Sequence, residues 1–373
     1  VKHPEHHLFS MTPDDLGQWC EARSMKRFRA RQILEWVYQH GSADPSEWSN
    51  LSARDRECIA AEMTILSGRT ISHQLATDGT QKLLIQWEDE PAPPGEPLKL
   101  SVLQDDPSRQ TECVMIPSLG SDTSRKTACI SSQVGCPVGC RFCASGLSGL
   151  DGNLSTGRIV EQAWRLGQLE GVGRISNVVF MGMGEPLSNF RPVVNAVRRL
   201  AAPTPEGLGI GARRITISTV GLPQAIRKLG EELDLPVTLA LSLHAPSDDL
   251  RRELIPWAEY TTIAELLSAC QAWFQKTGRE ITLEYTLLGQ LNDQSDHARE
   301  LARLAKTLRA NINLIRYNEV EGLPYKRPRD SDVTRFQTIL RENGANCHIR
   351  ASRGRDIAAA CGQLRHEHRA DSA

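Results

Sequence analysis

The chain has 373 residues, 40% hydrophobic and 24% charged, and its 44 Lys and Arg against 45 Asp and Glu leave a net charge of −1. These proportions exclude a disordered, collagenous or coiled-coil chain and a uniformly polybasic nucleic-acid binder, so any contact with nucleic acid has to come from local patches. No apolar run approaches the roughly 20 residues that span a bilayer and the start lacks the apolar core of a signal peptide, so a cytoplasmic protein with no membrane contact is expected, whose ten cysteines point to a metal or redox site plus buried thiols.

Residues 1–75 are expected to form a small helical N-terminal domain. Thr12-Pro13-Asp14-Asp15 is a helix start, with a capping hydroxyl, proline in the first turn and acids at the positive end. Phe28–Tyr38 and Ser52–Met63 supply two further helices. Between the first two lies the densest basic run, Arg23, Lys26, Arg27, Arg29 and Arg31. It reads equally as an RNA-docking surface or as a solvated helix face. Residues 76–126 form an extension with strands at 81–87 and 111–116. The stretch Pro91-Ala92-Pro93-Pro94-Gly95-Glu96-Pro97 is too rich in proline for regular structure and reads as an exposed loop.

From 127 to 373 apolar strand-like runs alternate with helical stretches. The runs are Thr127–Gln133, Asn177–Met183, Arg214–Val220, Val237–His244, Ile281–Leu288 and Asn311–Asn318, with a late strand at His348–Ser352. The helices fall near 155–169, 191–201, 223–233, 261–277, 293–309 and 331–343. Continuous apolar runs alternating with helices mean a parallel sheet covered by helices. Six such units make an α/β fold, a partial (β/α)6 TIM-like barrel, with its site at the carboxyl ends of the strands. Cys136–Cys143, Gly184-Glu185-Pro186, Ser218, His244 and Asn318 all fall at such ends.

The strongest local signal is Gly135-Cys136-Pro137-Val138-Gly139-Cys140-Arg141-Phe142-Cys143. Three thiolates in one loop suit an iron–sulfur cluster or zinc. With three ligands, one iron of a cubane stays open for a substrate. A zinc knuckle needs a fourth ligand nearby, and Cys129 is the near candidate.

Cys-x-x-x-Cys-x-aromatic-Cys after the first strand of a partial barrel resembles the signature of radical S-adenosylmethionine (SAM) enzymes. Further motifs run along nearly the whole chain: Phe28–Ile33, Ala128–Cys136, Phe180-Met181-Gly182-Met183-Gly184-Glu185-Pro186, Leu241-Ser242-Leu243-His244-Ala245-Pro246 and Ala360-Cys361-Gly362-Gln363-Leu364. In this order and spacing they are similar to the RlmN-type RNA adenosine methyltransferases. The resemblance implies a barrel of the radical SAM type. Cys136, Cys140 and Cys143 would hold a 4Fe–4S cluster, and the open iron would chelate SAM, which is cleaved to a 5′-deoxyadenosyl radical. Gly184, Glu185, Ser218, Ser242, Leu243, His244 and Asn318 match the SAM contacts. Cys361 matches the methyl carrier, Cys129 the resolving thiol that forms a disulfide with it, and Glu112 the proton acceptor.

The chemistry explains the two extra thiols. The adenine carbon lies between two ring nitrogens and is electrophilic, so an intermediary nucleophile is needed, and thiolate suits best. Cys20, Cys58, Cys113, Cys270 and Cys347 read as buried structural thiols. The implied substrate is an adenosine of 23S rRNA methylated at carbon 2, with some relatives also modifying the tRNA adenosine beside the anticodon. An electron donor such as flavodoxin or ferredoxin and a monomeric enzyme are expected. Arg23–Arg31, Arg213-Arg214, Lys326-Arg327-Pro328-Arg329 and Arg350–Arg355 would supply phosphate contacts. The alternatives are methylation of carbon 8 by a Cfr-like enzyme and a non-catalytic iron–sulfur RNA-binding factor. The Cys129–Cys361 pair speaks against the latter, since binding alone needs neither thiol.

Overall fold

The computed structural model describes residues 2–88, 106–118, 124–147 and 149–364; the proline-rich stretch 91–97 lies outside them. Three helices open the chain: α1 (Pro13–Glu21), α2 (Arg29–Leu34) and α3 (Ala53–Glu62). The expected cap of α1 is present. Thr12 Oγ1 accepts from the Asp15 amide while the Asp15 carboxylate accepts from the Thr12 amide, and Pro13 fills the first turn. The helical region ends at Glu62, and residues 68–75 are a strand instead. Their side chains alternate between half-buried and exposed along much of their length, as an edge strand allows.

This strand, β1 (Gly68–Leu75), pairs antiparallel with β2 (Gln81–Trp87), β2 with β3 (Gln110–Pro117), and β3 with β4 (Lys126–Cys129). From β4 the sheet continues in parallel through β7 (Asn177–Phe180), β8 (Ile215–Thr219), β9 (Thr238–Ser242), β10 (Ile281–Leu287), β11 (Ala310–Arg316) and β12 (Asn346–Arg350). Strands β5 (Gln133–Gly135) and β6 (Leu150–Asn153) form a separate hairpin sheet, with the short α4 (Ala144–Leu147) between them. The covering helices are α5 (Thr156–Gly167), α6 (Phe190–Ala201), α7 (Pro223–Glu232), α9 (Ile263–Thr277), α10 (Ser295–Lys306) and α11 (Asp330–Glu342), with α8 (Asp248–Leu254) as an extra turn after β9. Among the described residues no ladder joins β1 to β12, so the sheet they form is open. None of these helices is long and apolar enough to cross a membrane.

The expected first barrel strand, Thr127–Gln133, is broken. It leaves the main sheet after Cys129, and the Ile130 and Ser132 amides then bond to the Val179 and Met183 carbonyls before β5 begins. The break makes Cys129 the last residue of its strand and frees the following loop to carry the three cysteines.

One continuous apolar core runs from Leu8 and Phe9 to Cys347. The N-terminal helices share it. Phe9 packs against Trp164 of α5 at 5.8 Å, and Trp164 Nε1 donates to the Val37 carbonyl. Burying side chains such as Leu8 and Phe9 contributes about 1.5–3 kcal/mol each, enough to hold the helices on the barrel. Glu161 of α5 is the polar centre of this junction. It accepts from the amide and hydroxyl of Ser67, sits 3.3 Å from His7 Nε2, and pairs with Arg165. Gly157 is required beside it, because a Cβ there would lie 2.1 Å from His7 Nδ1.

Candidate active site

The loop Cys136–Cys143 folds back over the carboxyl ends of the strands. The Arg141 amide bonds to the Leu254 carbonyl of α8, and the cysteines pack with Val138, Phe142, Val220 and Leu254. Burial pushes all three thiols up, Cys136 to about 12, and the sulfurs of Cys136 and Cys140 also repel Cys143 or one another. Opposing this, the amides of Val138 and Gly184 reach Cys136, and those of Ser145 and Gly146 reach Cys143. Among the described residues no three His, Cys, Asp or Glu converge on a single metal ion. Three thiols at one mouth suit an iron–sulfur cluster, whose irons each take one thiolate.

Beneath the loop a cavity of about 140 Å³ is lined by the three cysteines, Gly184, Glu185, Ser218, Ser242, His244 and Cys361. Ser218 Oγ and Ser242 Oγ lie 3.2 Å apart on neighbouring strands. His244 has a positive φ of 57° and accepts the Thr286 amide on Nδ1. Its proton therefore sits on Nε2, and burial pushes its pKa down to about 3. Gly184 has φ 103°, and a Cβ there would come within 2.7 Å of Gln133 and Ser132, so glycine leaves room at the floor. Glu284 also lines the cavity. It is 3% exposed, with Oε1 bound by Asn313 and no partner for Oε2 among the described residues. A buried carboxylate oxygen left without a donor fits a polar ligand rich in hydroxyl or amine donors, such as SAM.

Three of the residues matched to SAM contacts also carry structural ties. Leu243 is fully buried in the main core. Its amide bonds to Glu284 and its carbonyl accepts from Arg251, so it supports the cavity wall from behind. Glu185 spends both carboxylate oxygens on the amides of Leu187 and Val220, fastening the loop after β7 to the end of β8; burial raises its pKa to about 6. Asn318 faces a second cavity and donates to the Cys361 carbonyl while accepting from Arg327.

That second cavity, about 490 Å³, fills the barrel lumen, and Cys361, Met181, Glu284, Ile315 and Leu364 line both cavities. Cys129 and Arg350 line the larger one with Cys361. The Cys361 segment reaches this position by docking on the cluster loop, where the Ala144 amide bonds to the Gly362 carbonyl. Burial pushes Cys129 up to about 12; Cys361 is exposed to solvent at the cavity mouths, and the protein packed around it still raises it to about 11, while the charge of Arg350 opposes both shifts.

Glu112 is placed apart from both cavities. It is buried in an ion pair with Lys82 of β2, 2.9 Å away. Of the thiols read as buried and structural, Cys58 is half-buried and lies near Glu62, while the others are buried.

Several residues escaped the sequence reading. Arg251, which the sequence reading does not single out, is buried and bridges the carbonyls of Val220 and Leu243 behind the cluster loop. Arg350 looked like a phosphate contact, but it turns into the lumen, with Nη1 3.0 Å from Met181 Sδ. A charge at Glu284, inside an otherwise apolar parallel strand, was the available signal for that residue.

Comparisons with known proteins agree with this geometry. Residues 130–305 match the radical SAM superfamily, and residues 6–65 match the ribosomal RNA large subunit methyltransferase N-terminal domain. The fold and the three-cysteine mouth define a radical SAM enzyme, with a 4Fe–4S cluster and SAM as its cofactors. Among curated relatives, the probable dual-specificity RNA methyltransferase RlmN of Rhodopirellula baltica is 40% identical, over 97% of this chain and 91% of its own. Its counterpart in Symbiobacterium thermophilum is 43% identical over 96% and 91%. A crystal structure of a radical SAM methyltransferase from Sphaerobacter thermophilus superposes with a TM-score of 0.87 at 37% identity, covering 96% of this chain and 99% of that one. The chain belongs to the RlmN family of SAM-dependent radical RNA methyltransferases.

Proposed function

We propose that this enzyme methylates carbon 2 of an adenosine in 23S rRNA, and of the tRNA adenosine beside the anticodon, through a methyl group carried on Cys361. The observation that carries the reading is the position of Cys361, which faces both the cavity under the three cysteines and the lumen that holds Cys129. A thiol shared by two cavities is suited to collect a one-carbon unit on one side and deliver it on the other. The relatives' description as dual-specificity RNA methyltransferases supports more than one RNA target.

Cys136, Cys140 and Cys143 would hold the cluster, and Gly184, Ser218, Ser242 and His244 would surround SAM. When bound, these groups supply a methyl group and a hydrogen-abstracting radical. The chain's own residues do the rest. Cys361 takes the methyl as a thioether. The lumen, within the roughly 300–1,000 Å³ of ordinary ligand pockets, accepts a base withdrawn from its stack. The carbon of the Cys361 thioether, having lost a hydrogen atom, bonds to the adenine carbon, which gives up its proton, and the one surplus electron would return to the cluster. Glu112, which the resemblance makes the proton acceptor, lies outside both cavities in its ion pair with Lys82, so no step is assigned to it. The Cys129 thiolate then attacks Cys361 sulfur. In this attack an S–S bond forms, the S–C bond breaks, and its electron pair leaves with the product carbon, which takes up a proton. The disulfide must be reduced by a dithiol before the next turnover, and an external one-electron donor of the flavodoxin or ferredoxin class serves the cluster. Arg350, a cation lining the cavity with both thiols, favours their ionised forms.

Digestion of reacted RNA, with chromatography and mass spectrometry of the nucleosides, tests the proposal. 2-Methyladenosine is the expected product. 8-Methyladenosine would move the enzyme to the Cfr-like reaction, and an unmodified digest would reject methylation of that RNA.

A further inference from the structure

The arginines ahead of the barrel strands form a pattern that SAM chemistry does not use. Arg125 precedes β4, Arg174 precedes β7, Arg213 and Arg214 precede β8, Arg279 precedes β10 and Arg309 precedes β11. Because these strands are parallel neighbours, their starts share one rim, opposite the cluster loop. Arg279 marks the level, donating from Nη2 to Thr238 Oγ1 at the start of β9. Most of these arginines are exposed, and none is ion-paired among the described residues. Asp234 and Glu280 are the acids flanking the strand starts there.

The basic run of the N-terminal helices is different. Arg23 pairs with Glu62, Arg27 with Asp14 and Glu21, Arg29 with Asp55 and Arg31 with Glu35. A paired cation must leave its carboxylate before it can bind phosphate, and the carboxylate left behind repels the RNA. The run is dense in sequence but largely neutralised in space.

The lumen connects the rim to the chemistry. Its wall begins at Arg125, Thr127, Thr216, Thr238 and Thr282, at the strand starts, and ends at Cys361 beyond the strand ends. We propose that this arginine rim holds the RNA backbone, with the target base passing inward through the lumen toward Cys361. The inference rests on RNA being the substrate and assigns the surface that receives it.

The test is equilibrium binding of a short adenosine-bearing RNA hairpin to the cluster-loaded enzyme across a salt series. Two variants are compared, R213A/R214A/R309A and R27A/R29A/R31A, each checked by circular dichroism and cluster absorbance. The rim variant should weaken binding at least tenfold at low salt. It should also flatten the slope of log Kd against log salt by about 0.7–0.9 per lost phosphate contact. Lysine at the same three positions should restore the slope, and the N-terminal variant should keep it. A wild-type slope in the rim variant, or flattening confined to the N-terminal variant, overturns the proposal. Methylation of the same hairpin by wild type is measured alongside. Its absence would reject the substrate reading, whereas methylation with an unchanged rim-variant slope rejects the rim alone.

Discussion

Lys82 Nζ lies 2.9 Å from Glu112 Oε1, with the two side chains 5% and 3% exposed, and the same ammonium donates to the Ala358 carbonyl at 3.4 Å. Ala358 sits in the segment that leads to Cys361. Glu112 of the antiparallel extension and the loop that leads to Cys361 therefore share one buried cation. The turn between β1 and β2 adds two further ties, since the Gly354 amide bonds to Asp78 and the Thr77 amide to Asp356. The antiparallel extension thus acts as a clamp on the carrier segment.

Removing Lys82 should disturb both ends. Lys82→Met leaves Glu112 buried without this counter-charge and should cost about 3–5 kcal/mol, whereas pairing it with Glu112→Leu should recover most of that loss. Urea denaturation of the single and double variants measures the difference. A single-variant loss below about 1 kcal/mol would equate the pair with an ordinary surface ion pair. The single variant should also alkylate faster at Cys361, because the loop loses its tie to Lys82.

The two lumen thiols should fail at different stages. Cys361→Ala lacks the carrier and should form no adduct with RNA. Cys129→Ala should be methylated on Cys361, react with the base and stall, co-purifying with covalently bound RNA as a band that nuclease collapses. Normal turnover by Cys129→Ala, or a cross-link carried by Cys361→Ala, would falsify the assignment of roles.

Anaerobic reconstitution should yield brown protein with broad charge-transfer absorption. The variant with Cys136, Cys140 and Cys143 all replaced by Ala should stay colourless, while Cys58→Ala and Cys270→Ala should be indistinguishable from wild type. Equal iron and sulfide content in the triple variant would show that the ligands lie elsewhere.

The junction between the helices and the barrel should be acid-sensitive. Burial alone would raise the Glu161 pKa, but the His7 ring 3.3 Å away, the charge of Arg165 and the Ser67 amide hold it below the ordinary 4.5. A carboxylate depressed in the folded state adds stability that is present above 4.5 and fades as pH falls through the lower, folded value. Acidification below that point should loosen residues 1–67 from α5 and expose them to limited proteolysis, followed by the fluorescence of Trp164. Glu161→Gln should lose stability at neutral pH and show a flatter acid profile; an acid profile identical to wild type would remove Glu161 as its cause.

The strand and helix rhythm from 127 onward and the three-cysteine loop were legible in the linear order, because apolar runs and ligand spacing are local properties. The neighbourhoods of the strand-end residues Gly184, Ser218, Ser242 and His244 followed from that rhythm, since parallel strands bring their carboxyl ends together. Edge strand β1 escaped because its mixed side chains give no strong period. Charge was the least legible quantity. The run Arg23–Arg31 looked like the main basic surface, but partners as distant in sequence as Glu62 and Asp55 neutralise much of it. Arg350, read as a phosphate contact, turns inward to the lumen, and Arg251 is buried behind the cluster loop. A charged side chain's role depends on what folding sets within a few ångströms of it, and that distance is decided only when remote strands and loops pack together.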